Sequence, residues 1–262
     1  MTPDPPIPLV SIITVVRNDA AGLAATRASI AVQGQVDYEW LIADGGSDDA
    51  TLSVLEGPGP QPDWLDSRPD GGPFAGMDRA MARARGDYLL FLNAGDRLAG
   101  PALLPRLRPH MTGPDAADIL YGDSIEDPGD GRPRRKPARH WRWAFYGMPA
   151  HHCAIFYRRS LLAGLYFDCG YRIAGDYAVT LQALDRACRV VRLPDTIAEF
   201  AIGGLSRRHA FLGRQEQDHI RRARFRFPVP IFATITMLQI VAASLRHLVP
   251  KVYAFGRFKA GQ

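Results

Sequence analysis

Short polar loops that carry carboxylates follow four apolar segments in the first hundred residues. The loops span residues 17–19, 44–51, 67–72 and 93–96. Their aspartates can accept hydrogen bonds from a base or a ribose, and a carboxylate such as Asp96 can bind a metal ion together with the phosphates that the ion bridges. Each loop alone is ordinary turn chemistry. Four such loops at successive strand ends predict a nucleotide-binding enzyme.

The elements that position these loops alternate between strand and helix patterns. Continuous apolar or β-branched runs predict strands, and apolar residues at helical spacing predict helices. The predicted strands are 9–16, 38–43, 63–67 and 88–92, and the predicted helices are 22–32, 51–56 and 77–85. This alternation predicts βαβ units and a mostly parallel sheet, with ligands bound outside the carboxyl ends of its strands.

The second half of the chain predicts a less regular pattern around one more carboxylate. Strands are expected at 118–121, 151–157, 190–193 and 196–202, with a hairpin turn after Asp127 and helices at 159–163 and 176–187. Asp176 opens the longer helix, where an aspartate also serves as an ordinary N-terminal cap. His151 and His152 are expected to point to opposite faces of their strand, so that only one reaches a site. Asp123 is a weaker site candidate.

Composition limits the class of protein. The chain has 262 residues, 47% of them hydrophobic, which is enough for one domain with a real core and a small appendage. The three cysteines form no C-x-x-C pair, and the first residues lack the pattern of a signal peptide. These features predict a reduced, cytoplasmic protein.

The C-terminal region is first basic and then apolar. The basic part contains Arg207, Arg208, Arg214, Arg221, Arg222, Arg224 and Arg226. It could face anionic lipid or a pyrophosphate, or be a solvated helix face; nucleic acid is not expected, because no known binding motif accompanies it. Residues 227–245 carry no formal charge and precede further basic and aromatic residues. They predict a helix at a membrane interface, or one packed on the domain or on a second subunit.

Taken in order, the motifs resemble those of the family 2 inverting glycosyltransferases, which have the GT-A fold. The similar segments are residues 10–18, 39–51, 67–72 and 86–96, and the likeness extends over about residues 8–206. It is best to the branch that builds colanic acid and other exopolysaccharides. The resemblance implies a GT-A domain at 1–206, with a nucleotide-sugar half (8–100) and an acceptor half (101–206), followed by a helical, partly apolar extension at 207–262.

The resemblance also implies roles for individual residues. Asp176 occupies the position of the catalytic base, and Asp96 that of a metal ligand, with Mg²⁺ or Mn²⁺ as the expected cofactor. His151, His152, Gly204 and Ser206 are expected on the acceptor or diphosphate side. The residues expected to bind the nucleotide sugar are Thr14, Val16, Arg17, Asp44, Gly45, Ser47, Asp70, Gly71, Asn93 and Ala94.

The chain departs from the family pattern in two places. Asn93 and Gly95 replace the two aspartates of the metal motif, and Pro73 and Asp78 stand where an isoleucine and an asparagine are common. The expected activity is transfer of a sugar from a nucleoside diphosphate donor to a hydroxyl of a surface glycan precursor, carried on a polyprenyl diphosphate at the inner face of the cell membrane. The alternative is a degenerate nucleotide-sugar-binding scaffold. A sugar-1-phosphate nucleotidyltransferase is excluded, because its glycine-rich basic loop is absent.

Overall fold

The computed structural model describes residues 6–34, 36–127, 131–201 and 209–248. Nine strands in these ranges form one sheet, in the order β3-β2-β1-β4-β8-β6-β9-β5, with β7 paired to β6. The strands are β1 Val10–Val16, β2 Tyr38–Asp44, β3 Trp64–Ser67, β4 Tyr88–Phe91, β5 Arg97–Leu98, β6 Ile119–Glu126, β7 Arg134–Lys136, β8 Ile155–Arg158 and β9 Val190–Glu199. Both halves of the chain therefore contribute to a single sheet.

The direction of the strands changes across the sheet. Strands β1 to β4 are parallel, as the alternation of the sequence predicts. β8 is antiparallel to β4 and β6, and β6 and β9 are parallel to one another. The predicted α/β fold is confirmed, with a mixed sheet in place of a mostly parallel one.

Helices cover both faces of the sheet. They are α1 Ala20–Ala31, α2 Pro73–Met81, α3 Leu103–Met111, α4 Gly175–Arg186, α5 Ala210–Arg224 and α6 Val229–Leu248. Side chains of α1 and α3 join one hydrophobic core, and those of α2 and α4 join the other. Since β1, β2 and β4 are buried on both faces, their side chains are almost all apolar.

Several predicted boundaries are wrong, each for a local reason. α2 begins at Pro73, not at residue 77, since proline is well suited to the first helical position. Residues 152–154 form a 3₁₀ turn, and β8 begins only at Ile155. The two strands predicted near residues 190–202 are one strand that passes through Pro194. β6 extends to Glu126, well beyond the predicted residue 121.

The C-terminal helices pack on the domain through a buried arginine. Arg221 of α5 has no exposed surface, and its guanidinium donates to the carbonyl oxygens of Phe145 (2.8 Å) and Tyr146 (3.4 Å). Gln239 of α6 donates to the same Tyr146 carbonyl at 2.7 Å. The expectation of a wholly solvated or ligand-facing basic helix is therefore wrong at Arg221.

Candidate active site

The predicted site loops meet at one edge of the sheet. Because β1, β2, β3 and β4 are parallel, the loops that follow them lie at the same edge, together with the ends of β6 and β9. β8 runs the other way, so the His151–His152 segment that precedes it also lies at this edge. The chain crosses from β3 back past β1 to β4, which makes this edge a topological switch point.

Hydrogen bonds join the loops after β1 and β2. The Asn18 backbone N–H donates to the Ser47 hydroxyl at 2.8 Å, and the Asn18 amide donates to Asp48 at 2.8 Å. Asn18 has a φ of 51°, in the left-handed region that asparagine tolerates. This turn leaves Arg17 exposed at the mouth of the site.

Asp44 is fully buried and shapes the loop that follows it. Its carboxylate accepts hydrogen bonds from the hydroxyls of Ser47 (2.5 Å) and Ser67 (2.6 Å) and from the N–H groups of Gly46 (3.2 Å) and Ser47 (2.9 Å). Burial alone would raise the pKa of Asp44, but these hydrogen bonds hold it below its usual value. Direct contact of Asp44 with a base stays a prediction, and the observed contacts give the side chain a role in loop shape.

Asp70 joins the third loop to the second. Its carboxylate accepts from the Gly72 N–H at 2.9 Å and pairs with Arg79 at 3.2 Å, and Arg79 also donates to the Asp44 carbonyl at 3.3 Å. Gly45 lies so close to Asp70 that a Cβ there would be 3.3 Å from the Asp70 carboxylate. Gly71 is exposed at the mouth of the same loop.

The side chains of two predicted donor-binding residues, Thr14 and Val16, are buried. Thr14 has no exposed surface, and its hydroxyl donates to the Leu92 carbonyl at 2.8 Å and accepts from the Trp40 indole at 2.9 Å. Val16 is buried in the core. Their side chains therefore support the strand end, while Arg17 and the Ser47 loop lie nearer the surface.

A side chain of α1 donates hydrogen bonds to the turn after β4. The Thr26 hydroxyl donates to the carbonyls of Asn93 (3.2 Å) and Asp96 (2.7 Å). Asn93 Oδ1 is buried without a hydrogen-bond partner among the described residues, and Ala94 is half-buried beside it. The turn thus presents one unsatisfied oxygen at the position of the metal motif.

Asp96 itself is turned inward. Its carboxylate is buried, accepts the Ala201 N–H at 2.9 Å and is approached by the Cys153 thiol. Burial raises the pKa of Asp96 to about 7. Among the described residues, no group of three or more His, Cys, Asp or Glu side chains is arranged to hold a metal ion.

The two histidines have different surroundings, and the prediction that they lie on one strand is wrong, because β8 begins only at Ile155. His151 stacks on Phe200 at 4.1 Å between ring centroids, and its Nε2 lies 3.0 Å from Glu126 and 2.9 Å from the Lys136 ammonium. Burial would raise the pKa of Glu126, but the hydrogen bond from His151 and the charge of Lys136 hold it well below its usual range. His151 therefore belongs to a charged cluster at the ends of β6 and β9.

His152 lies in an aromatic pocket. It stacks on Phe91 at 4.7 Å and meets Phe167 edge to face at 5.9 Å. Its Nε2 is buried without a hydrogen-bond partner in the described part of the chain, and burial lowers the pKa of His152 to about 3. His152 is therefore a neutral ring at neutral pH.

Asp176 lies in the first turn of α4, close to the start of α2. The preceding residue, Gly175, packs so tightly on α2 that a Cβ there would come 2.8 Å from the Phe74 ring. The Asp176 carboxylate accepts the Tyr177 N–H at 2.7 Å, and the Asp176 carbonyl accepts the Thr180 hydroxyl at 2.7 Å. Burial, reinforced by the negative charge of Glu216, raises the pKa of Asp176 to about 6.

Gly204 and Ser206 lie outside the described residues. The sequence analysis did not single out Arg79, Glu126, Lys136 or Glu216, which the fold brings to the site or to its supporting loops. Arg79 and Glu216 occur on helices at ordinary surface spacing, so nothing in the sequence separates them from solvated residues. Pro73 and Asp78 now have clear positions, since Pro73 begins α2 and Asp78 accepts the Phe167 N–H at 3.0 Å.

Solved structures that contain a bound nucleotide sugar have a similar fold. The chain superposes on S. aureus TarS 1-349 in complex with UDP-GlcNAc with a TM-score of 0.65 and 18% identity, covering 90% of this chain and 72% of that one. A longer TarS chain has also been solved, and this chain spans 43% of it. The mannosyltransferase PcManGT from Pyrobaculum calidifontis, in complex with GDP-Man and Mn²⁺, matches with a TM-score of 0.63 and 17% identity over 94% of this chain and 72% of that one. The predicted GT-A-like α/β fold is thereby confirmed.

Proteins named as glycosyltransferases are also similar to this chain in sequence. A PGL/p-HBAD biosynthesis glycosyltransferase of Mycobacterium tuberculosis is 32% identical over 216 residues, which cover 76% of this chain and 79% of the relative. Residues 11–165 match the family described as Glycosyl transferase family 2, and this match ends before Asp176. The chain belongs to glycosyl transferase family 2.

Proposed function

We propose that this glycosyltransferase is inverting and that Asp176 is its catalytic base. The observation that carries the proposal is the packing of Gly175 on Phe74, since it holds the Asp176 end of α4 against the start of α2, which directly follows the proposed donor loop at 67–72. Asp176 would take the proton from an acceptor hydroxyl as that oxygen bonds to the anomeric carbon. The bond from the sugar to the diphosphate breaks, and the nucleoside diphosphate leaves with the electron pair. A pKa of about 6 leaves Asp176 ionised, yet basic, at neutral pH.

The donor is a nucleoside diphosphate sugar held by the loops after β1, β2, β3 and β4. In this proposal Asp44 fixes the loop at 45–47, and Ser47, Gly45 and Gly71 offer backbone and hydroxyl groups to the nucleotide. Arg17, exposed at the mouth, offsets charge that develops on the leaving diphosphate. Support comes from the neighbours crystallised with UDP-GlcNAc and with GDP-Man.

A divalent ion, Mg²⁺ or Mn²⁺, fits the turn at 93–96. The buried Oδ1 of Asn93 has no described hydrogen-bond partner, and an amide oxygen is a suitable ligand for a hard cation. Asn93 would hold the ion through its Oδ1, Asp96 would join it only by turning away from the Ala201 N–H, and the donor phosphates would supply most of the ligands. Bound there, the ion would neutralise charge on the diphosphate. The neighbour that contains GDP-Man also contains Mn²⁺.

The acceptor is a hydroxyl of a glycan precursor carried on a lipid, such as a polyprenyl diphosphate, in exopolysaccharide synthesis. The His151 cluster would lie on the acceptor or diphosphate side, and the sequence assigns Gly204 and Ser206 to the same side. The relatives named for PGL/p-HBAD biosynthesis support transfer to a precursor in cell-surface glycolipid or glycan assembly. The chain would work at the inner face of the cell membrane.

Helix α6 is the surface proposed to meet that membrane. Within the described residues, no helix is both long and apolar enough to cross a bilayer. The helix instead exposes large apolar side chains next to the exposed Arg222, Arg224 and Arg226. Such a combination fits a helix that lies on an anionic lipid surface. The exposed apolar residues are Val229, Ile231, Met237, Leu238, Ile240 and Val241.

Donor hydrolysis tests the proposed base without knowledge of the acceptor. Purified protein is incubated with UDP-glucose, UDP-GlcNAc and GDP-mannose, with Mg²⁺, Mn²⁺ or EDTA, and release of nucleoside diphosphate is measured. Asp176→Asn is compared with Asp185→Asn, which removes the same charge from the same helix where Asp185 pairs with Arg224 at the surface. We expect metal-dependent release from one donor, lost on Asp176→Asn and retained on Asp185→Asn.

The alternative outcomes are distinct. If Asp176→Asn is as active as Asp185→Asn, Asp176 is not the catalytic base. Donor binding without release, even after addition of lipid-linked glycan extract, would favour the non-catalytic scaffold. An unchanged rate in EDTA would reject the metal proposal alone.

A further inference from the structure

Glu216, a buried residue of α5, contacts the segment that leads into α4. Its Oε1 accepts the Arg172 N–H at 2.9 Å, and its Oε2 accepts the N–H groups of Ile173 at 2.9 Å and Ala174 at 2.8 Å. Three consecutive backbone donors thus converge on one carboxylate, two residues before Asp176. Because a carboxylate has acceptors only, it suits this arrangement better than an amide or a hydroxyl.

Close backbone packing fixes α5 at the same place. Gly213 lies one turn before Glu216, and a Cβ on Gly213 would come 2.8 Å from Cγ2 of Ile173. A side chain there would push α5 away from the 172–174 segment. Gly213 and Glu216 therefore form one docking surface for that segment.

The start of α4 is held by other contacts in addition to Glu216. Gly175 is pressed against Phe74 of α2, and the Tyr177 hydroxyl donates to the Ala144 carbonyl at 2.7 Å. On the remaining side Thr180 bonds to the Tyr157 hydroxyl at 2.7 Å. Since α2 follows the donor loop directly, a shift at residues 172–174 would move Asp176 relative to the donor sugar.

We propose that Glu216 is a positioning residue for sugar transfer, because its carboxylate fixes the 172–174 segment and thereby places Asp176 against the donor loop. This inference rests on the proposed role of Asp176. It makes α5, which the sequence assigns to a separate extension, part of the transfer site. The carboxylate acts through Asp176 and does not contact the sugar.

The test compares substitutions on the same helix. Glu216→Gln keeps the length of the side chain but replaces one acceptor oxygen with an amide NH2 group, which is a donor. Asp218→Asn is the matched control: it also removes an acid from α5, but Asp218 pairs with Arg221 and Arg222 and does not reach the 172–174 segment. Gly213→Ala keeps Glu216 and displaces the helix, which provides an independent variant if Glu216→Gln folds poorly.

Three measurements are made on the full chain: nucleoside diphosphate release from the donor found by the screen, UDP or GDP affinity, and amide hydrogen exchange of residues 171–177. For Glu216→Gln and Gly213→Ala we expect kcat to fall on the order of 10²-fold, because a displacement of about 1 Å is enough for such a loss. The donor KM and the nucleoside diphosphate Kd should stay within about twofold, since the donor loops are untouched. Exchange at residues 172–174 should rise about tenfold or more with the loss of bonds to a charged group. Asp218→Asn should match the wild type in all three.

The acid limb of the pH dependence of kcat separates a positioning role from a general loss of structure. The titratable groups that face Asp176 from packed elements are Glu216 of α5 and Tyr157 of β8. Removing the Glu216 charge should move the acid limb of kcat to lower pH, whereas Gly213→Ala should leave it in place. A purely structural loss would not shift it.

Three outcomes that would overturn the inference can be told apart. If Glu216→Gln retains wild-type kcat while Asp176→Asn is inactive, the positioning role is refuted and the base stands. If Asp176→Asn is itself fully active, the proposed function fails first. Parallel loss of kcat and of nucleoside diphosphate affinity would show a disrupted fold and would also overturn the inference.

Discussion

Replacing Asp176 with asparagine should abolish turnover and at the same time stabilise the fold at neutral pH. The pKa of Asp176 is about 6 in the folded protein, raised from 3.8 mainly by burial and further by Glu216. Because the folded protein binds this proton more tightly than the unfolded chain does, the stabilisation is fully present below pH 3.8 and is lost as the pH rises through about 6. Above that pH the ionised carboxylate destabilises the native state.

The size of the effect follows from the shift. About two pH units separate the folded and unfolded values, and each unit corresponds to 1.36 kcal/mol, so the ionised Asp176 costs at most about 3 kcal/mol at pH 7.5. Integrating the same linkage gives about half of that cost at pH 5 and almost none at pH 3. The asparagine can still accept the Tyr177 N–H through its amide oxygen, so this hydrogen bond is kept.

Urea denaturation at pH 7.5 and pH 5 measures this difference, with Asp185→Asn as the control. We expect Asp176→Asn to raise the free energy of unfolding by about 2–3 kcal/mol at pH 7.5 and by about half as much at pH 5, while Asp185→Asn changes it little at either pH. Equal or lower stability of Asp176→Asn at pH 7.5 would refute the raised pKa and the argument for a strong base at this position.

Three other predictions concern the same protein. The acid limb of kcat should titrate near pH 6, so that at pH 5 about one-tenth of the molecules carry the ionised base; a rate at pH 5 equal to that at pH 7.5 would contradict this. Asp44→Asn can keep an oxygen for the Gly46 and Ser47 N–H groups but then turns its amide NH2 toward the Ser47 hydroxyl. It should destabilise the protein by about 2 kcal/mol and weaken UDP or GDP binding at least tenfold; unchanged affinity by calorimetry would remove Asp44 from the donor site. Met237→Glu with Ile240→Glu, which leaves the buried Phe232 and Ile235 unchanged, should reduce cosedimentation with phosphatidylglycerol vesicles about tenfold or more. Equal binding of the wild type and the double variant would reject α6 as the membrane surface.

The sheet edge at the ends of β1 to β4 could be predicted from the sequence, because these elements are local and regular. β1 and β2 are apolar on both faces and end in polar loops, so their ends and the parallel order follow from periodicity. The same rule placed Asn93–Asp96 at the shared edge. It could not show that Thr14 and Asp44 turn inward, because that depends on Trp40 and Ser67 from neighbouring strands.

The second half was less predictable because long-range contacts decide it. α3 was not predicted, since prolines at 105 and 109 interrupt its apolar spacing. The adjacent histidines looked like part of a strand, but the pocket formed by Phe91 and Phe167 accommodates His152 only through a 3₁₀ turn. Glu216 and Arg221 have ordinary helical surroundings in the sequence, and only the fold shows that both are buried against loops far along the chain.

Glu216 affects both the conformation of the 172–174 segment and the pKa of Asp176. Its carboxylate satisfies three N–H donors, and its charge opposes ionisation of Asp176, so one side chain both stabilises the segment and raises the pKa of Asp176. A double-mutant cycle separates these effects. In the wild type at pH 7.5, Glu216→Gln loses the hydrogen bonds but also relieves the repulsion. In an Asp176→Asn background there is no repulsion to relieve, so the same substitution should be more destabilising. The difference between the two measures the repulsion directly, and a cycle that closes without any difference would mean that Glu216 acts on Asp176 through geometry alone.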